Sequence, residues 1–253
     1  MRRKVIRALE DIETNNGTFK SYISQNLGHA LSEESLQVSG VSKDDFIWLY
    51  TTQLAKRTRP ARVIYDSIVQ AAPNGLCCYC QYGKASTLDH FVPKAVVSAL
   101  AIDPWNLVPA CSDCNHEMLD EFSNQEERQF LHPYFIPAIG RWLYAEVVEG
   151  SPATLQFFAN PDSALPDALR HRISNQHTEL KLSGLYAIVS AQDLAEISNN
   201  VRRIYAAGGA SAVQDHLREM SQDCFAADVN NRRGVLYEAL ANSPWYYGGG
   251  FNE

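Results

Sequence analysis

The chain lacks an excess of positive charge: 29 acidic against 22 basic residues give a formal net charge of −7. That argues against the broadly basic surface by which many nucleic-acid binders hold phosphate. It also lacks any run approaching the roughly 18–20 consecutive apolar residues that cross a bilayer, so no membrane span is expected. The opening MRRKVIRALEDIE starts basic, but acids follow where the apolar part of an export signal would stand. A soluble, cytoplasmic protein is therefore expected. There is no internal repeat, no low-complexity tract and no G-x-x-x-x-G-K-[ST] loop, so any ATPase acting with this chain is expected to be a separate protein.

What is present is a globular composition, 253 residues with 45% hydrophobic, sufficient for a sizeable core. The first 70 residues read as helical. Ser42 followed three residues later by Asp45 predicts a capped helix start, and Pro60 suits the first turn of a helix through ARVIYDSIVQAA that PNG ends. RWLYAEVVEG and ATLQFFAN are short, aromatic and β-branched around a turn, and predict a hairpin. Beyond them the pattern is helical again. Ser190 is expected to cap a helix carrying Leu194, Ile197, Val201 and Ile204, which Gly208-Gly209 ends. The aromatic, glycine-rich tail WYYGGGF is expected to pack against the core.

Five of the six cysteines, Cys77, Cys78, Cys80, Cys111 and Cys114, fall within one short window, and four of them form two C-x-x-C pairs. In a reducing compartment that pattern favours metal over disulfide. Two such pairs complete a closed tetrahedral Cys₄ zinc site with no open coordination position, so the zinc is expected to be structural. Sites of this kind contribute about 10–16 kcal/mol of apparent binding free energy. Cys78 could stand in for Cys77, but the C-x-x-C spacing favours Cys77. Cys224 falls on an apolar stripe with Val213, Leu217 and Met220 and is expected in the core. His132 reads as a packed or capping residue; His29, His171, His177 and His216 read as surface or core.

Between the pairs stand Asp89, His90 and Asn106, and Asn115 follows the last cysteine. This order, LDHFVPKA…NLVPACSDCN over residues 75–120, resembles the HNH (ββα-metal) endonuclease family in its zinc-containing form. The resemblance implies an α+β fold with a ββα-metal core and a structural Cys₄ zinc. That core would be flanked by N-terminal helices and a mainly helical C-terminal domain, with segments 1–72, 73–132 and 133–253. It implies that Asp89 and Asn115 hold one catalytic Mg²⁺ or Mn²⁺, that His90 is the general base, and that Asn106 ties the intervening loop and orients His90. It also implies a phosphodiester substrate, most simply DNA, cut to 5′-phosphate and 3′-hydroxyl ends. The last position is Asn115, with His116 as its competitor if the helix begins one residue later. Met118 stands where related motifs often carry a lysine.

The chemistry is consistent on its own terms. A histidine near its ordinary pKa suits proton abstraction from water, and a hard ion held by few oxygen ligands suits charge on a leaving oxygen. Adjacent strand residues point to opposite faces, so Asp89 and His90 are expected to serve the two sides of the scissile bond separately. Lys56, Arg57, Arg59 and Arg62, together with Lys94, are the candidate phosphate contacts. Two rivals remain open in the sequence: a zinc-stabilised nucleic-acid or protein binding module that does not cut, and the nuclease subunit of an anti-phage defence or restriction complex delivered by a separate ATPase.

Overall fold

The computed structural model describes residues 1–118 and 122–252, in two units divided after Pro137. The first begins with helices α1 (Arg2–Arg7) and α2 (Leu9–Ser24). Helix α3 (Lys43–Trp48) starts where Ser42 accepts from the Asp45 amide at 3.3 Å while the Asp45 carboxylate accepts from the Ser42 amide at 3.1 Å. This reciprocal cap satisfies two N–H groups that have no partner within the helix. The helix then widens into a π-helical segment, Leu49–Leu54, in which the Ala55 amide reaches back to the Tyr50 carbonyl at 2.8 Å. Helix α4 (Arg62–Gln70) begins two residues after Pro60, which sits in the preceding turn rather than in the first helical turn.

Strands β1 (Thr87–His90) and β2 (Leu107–Ala110) pair antiparallel, with Asp89 opposite Val108 and His90 opposite Leu107. Helix α5 (Ser112–Met118) follows directly. A two-stranded ribbon leaves two open edges, and here both are covered. On the β1 side, the Leu88 amide donates to the Tyr65 hydroxyl at 3.0 Å and the Tyr50 hydroxyl donates to the Leu88 carbonyl at 3.4 Å. On the β2 side, the Cys78 amide donates to the Pro109 carbonyl at 3.0 Å and the Tyr134 hydroxyl to the Leu107 carbonyl at 2.9 Å. Pro109 has no N–H to offer β1, and opposite Leu88 none is called for, since Leu88 turns its own amide outward to Tyr65.

The residues on either side of position 72 share one core. Leu88, Ala101 and Leu107 share one buried cluster with Ala8, Phe46, Tyr50, Leu54 and Tyr65, so the N-terminal helices and the cysteine-rich segment are a single body. The reason is size: a four-residue, two-stranded ribbon buries too little apolar surface to stand alone.

The second unit pairs β3 (Leu143–Val148) with β4 (Thr154–Ala159) as the expected hairpin, followed by α6 (Asp167–Glu179), α7 (Leu182–Ala227), α8 (Arg232–Ala241) and α9 (Pro244–Tyr247). The Asn230 side chain accepts from the Trp142 and Leu143 amides at 2.8 and 3.1 Å, anchoring the hairpin. Helix α7 breaks at Gly209, whose φ of 68° and ψ of −163° belong to a region open essentially to glycine alone. Ser190 does not cap a helix. It is buried inside α7, its hydroxyl taking a bond from Arg232 at 3.1 Å, and the helix begins earlier, at Leu182, after left-handed Lys181. Cys224 is only half-buried, at the margin of the stripe whose centre is Val213 and Leu217. The tail does pack: Phe251 lies 5.5 Å from the rings of both Tyr205 and Tyr246. Among the described residues no helix is long and apolar enough to cross a membrane.

Candidate metal centre and cleft

Cys77, Cys80, Cys111 and Cys114 bring their sulfurs within 4.8 Å of one another, all four buried. Four thiolates around a tetrahedral zinc at about 2.3 Å would sit about 3.8 Å apart, and Cys80 Sγ lies 3.9 Å from Cys111 Sγ. The cluster is thus compatible with a zinc ion. The electrostatics agree: thiol hydrogen bonds from Cys114 and Cys77 pull Cys80 down to about 3, while the same crowding pushes Cys114 up. Four thiolates at this spacing can ionise together only around a cation. Two backbone amides, those of Gly83 and Cys114, donate to Cys80 Sγ and Cys111 Sγ at 3.4 Å.

The first knuckle needs two local features that the spacing alone does not reveal. Gln81 adopts a left-handed φ of 56°, which lets its amide close the turn onto the Cys77 carbonyl at 2.9 Å. Gly83 passes so close to the second pair that a Cβ there would lie 2.7 Å from Cys111 Cβ and 2.9 Å from its Sγ. Cys78 stays outside the cluster, its thiol pushed up to about 11 by burial, and contributes its backbone to β2 instead.

Beside the knuckles lies a cleft of about 210 Å³ lined by Tyr50, Thr87, Leu88, Asp89, His90, Pro93, Lys94 and Asn115. The sequence-predicted Asp89, His90, Lys94 and Asn115 therefore share one site. His116 lines a neighbouring depression with Thr87, Ser112, Asp113, Asn115 and Glu117; Thr87 and Asn115 are common to both, and His116 does not line the cleft. Asp89 is 5% exposed, and its Oδ2 accepts from the Tyr79 hydroxyl at 2.8 Å. Burial pushes its carboxyl up to about 6, against the opposing pull of that hydrogen bond.

His90 Nε2 lies 2.9 Å from the Ala101 carbonyl. A carbonyl can only accept, so Nε2 carries the hydrogen and Nδ1 holds the lone pair of the neutral ring. The Tyr50 ring meets the imidazole edge-on, with centroids 4.2 Å apart, and Lys94 Nζ sits 5.7 Å from the centre of that same Tyr50 ring. Asp89 and His90 do turn to different partners, the zinc knuckle and the loop, as strand alternation requires. Yet both line the one cleft, which runs along all of β1 from Thr87 to His90.

Asn106 is fully buried. Its Oδ1 accepts from the Val92 amide at 2.7 Å and its Nδ2 donates to the Val92 and Leu100 carbonyls at 3.0 and 3.1 Å. It closes the loop between the strands on itself, one residue before the carbonyl that binds His90. Of the basic cluster, Lys56, Arg57 and Arg59 are exposed and do not line the cleft. Arg62 is engaged otherwise: it donates to Asp66 at 2.8 Å and to the Ala55 carbonyl at 2.5 Å, and stacks 4.0 Å from the Tyr65 ring. It secures the turn into α4.

Tyr79 and Tyr50 were not singled out by the sequence. Tyr79 carried a signal, since it stands inside the first C-x-x-C beside the acid's strand. Tyr50 carried none: it stands in the π-helical segment, far in sequence from the strand it packs against. Over 236 residues the chain is 26% identical to Protein ea31 of Escherichia phage lambda, covering 87% of this chain and 79% of that protein. No family model and no solved structure matches the chain.

Proposed function

We propose that the chain is a metal-dependent endonuclease of the HNH type, hydrolysing phosphodiester bonds, with DNA as the polymer. The observation that carries the reading is the single cleft shared by Asp89, His90, Lys94 and Asn115, at the join of ribbon and helix and backed by the Cys₄ cluster. The donor set fits a hard divalent ion: one carboxylate and one amide oxygen leave room for retained waters. A buried carboxyl raised to about 6 is also a group that gains from a nearby cation. When bound, Mg²⁺ or Mn²⁺ supplies charge stabilisation at the leaving oxygen.

The chain's own residues do the rest. His90 Nδ1 takes the proton from the attacking water while Nε2–H holds the ring to Ala101. Asn106 keeps that loop in shape, Tyr79 holds Asp89 in place, and Lys94 offers a cation to the phosphate. The four cysteines hold structural zinc and take no part in the chemistry.

The charge of −7 favours a second element of this reading, a partner that brings nucleic acid to the cleft, such as the separate ATPase of a defence or restriction complex. The exposed Lys56, Arg57 and Arg59 are the remaining basic handle.

The test is zinc-loaded protein with supercoiled plasmid and Mg²⁺ or Mn²⁺, beside His90→Ala. We expect nicking or linearisation that falls about 10²–10⁴-fold in the variant. Cutting that survives His90→Ala removes His90 from the chemistry. Tight nucleic-acid binding without cutting, alone or with a co-purifying partner, replaces the nuclease by the zinc-stabilised binding module.

A further inference from the structure

We infer that Glu33 is a positioning residue for His90, acting from the N-terminal segment through Ser98 and the carbonyl of Ala101. The inference rests on the nuclease reading of His90. The imidazole is aimed by its bond to the Ala101 carbonyl, so whatever fixes that carbonyl fixes the base. Ala101 follows a 3₁₀ turn, Ser98–Leu100, and its amide bonds back to the Ser98 carbonyl at 3.0 Å. The turn therefore sets the direction of the next carbonyl. Its first residue, Ser98, is buried, and its amide has no acceptor within the turn itself.

Glu33 supplies that acceptor from 65 residues away. Its Oε2 accepts from the Ser98 amide at 2.6 Å and its Oε1 from the Ser98 hydroxyl at 2.5 Å. Hydrogen bonds to a carboxylate are shorter and stronger than neutral ones, and two of them on one residue fix orientation as well as distance. Two further side chains of the same segment grip the loop on either side: Lys43 Nζ donates to the Ala95 carbonyl at 2.6 Å, and Asn16 Nδ2 to Asp103 Oδ1 at 3.1 Å. Asn106 ties residues 92 and 100 together from within. Glu33 is the one that seizes the start of the turn ending at Ala101. The N-terminal segment thus belongs to the machinery that aims the base, through Glu33 at a distance and through the Tyr50 ring against the imidazole.

The experiment compares wild type, Glu33→Gln and Glu33→Ala, all zinc-loaded, by ¹⁵N NMR of the His90 ring at one fixed alkaline pH and by plasmid cleavage. The wild type is expected to show a single Nε2–H tautomer. Glu33→Ala is expected to mix the two tautomers and to lower kcat about tenfold or more with KM unchanged, as a misaimed base does. Glu33→Gln, which keeps one acceptor oxygen, is expected to fall between. If Glu33→Ala does not fold, Ser98→Ala removes only the hydroxyl arm and is expected to give the intermediate result. A His90 ring that keeps one tautomer, with unchanged kcat, in folded Glu33 variants overturns the inference. A ring that responds to Glu33 in a protein that never cuts upholds the link and overturns the nuclease reading instead.

Discussion

Asp89→Asn should make the metal-free cleft more stable while abolishing its proposed chemistry. The Asp89 carboxyl is raised from 3.8 to about 6, chiefly by burial, so the folded protein holds that proton more tightly than the unfolded chain does. Stability linked to this group is therefore fully present below about pH 4 and is lost as pH rises through about 6. That rise of the carboxyl corresponds to roughly 3 kcal/mol at neutral pH. Asparagine carries no charge to desolvate and keeps an oxygen that can accept from Tyr79. The variant should then gain on the wild type between pH 4 and 6 and hold a margin of about 3 kcal/mol above it, or several degrees in Tm. The assay is thermal or urea unfolding across pH 5–8 in zinc-loaded protein without added Mg²⁺ or Mn²⁺. Adding Mn²⁺ should narrow the margin by stabilising only the wild type. A variant that melts at or below the wild type at pH 7, with a gap that does not change from pH 5, would refute the burial argument for Asp89.

Gly83→Ala places a methyl group 2.7 Å from Cys111 Cβ; zinc content by mass spectrometry should fall below one per chain, with a lower Tm. Asn106→Ala leaves the buried Val92 amide and two carbonyls without their partner and should cost about 3 kcal/mol or more in urea unfolding. Gly209→Ala puts a side chain at φ 68° and should cost about 1–3 kcal/mol, read in the same way, with zinc content untouched because the cysteines lie in the other unit.

What was legible in the sequence is what is encoded locally. The C-x-x-C pairs, the Ser42–Asp45 cap and the hairpin around residues 149–153 each depend on residues a few positions apart, and each stands where the pattern puts it. The order Asp89, His90, Asn106, Asn115 was also readable, and all but Asn106 line the same cleft. What was not legible depends on contacts across the chain. Ser190 has the residue type of a cap, but Arg232, 42 positions away, claims its hydroxyl. Arg62 sits in a basic cluster, yet Asp66 and Tyr65 occupy its guanidinium. The core shared across residue 72 had no local signal either, because a ribbon so short borrows its core from the helices before it. Glu33 had no motif at all, since its partner is 65 residues on.

The tyrosine hydroxyls on the outer edge of β1 have a consequence beyond covering it. A two-residue error in pairing would keep the faces of the ribbon, but a slip of one that turned β1 over would exchange the environments of Asp89 and His90. In the present register Leu88, opposite Pro109, points its amide and carbonyl outward to Tyr65 and Tyr50. Turned over, β1 would aim both groups at β2 and leave the two hydroxyls without their partners. Two tyrosines outside the ribbon thus act as a key, excluding the arrangement in which Asp89 and His90 trade places.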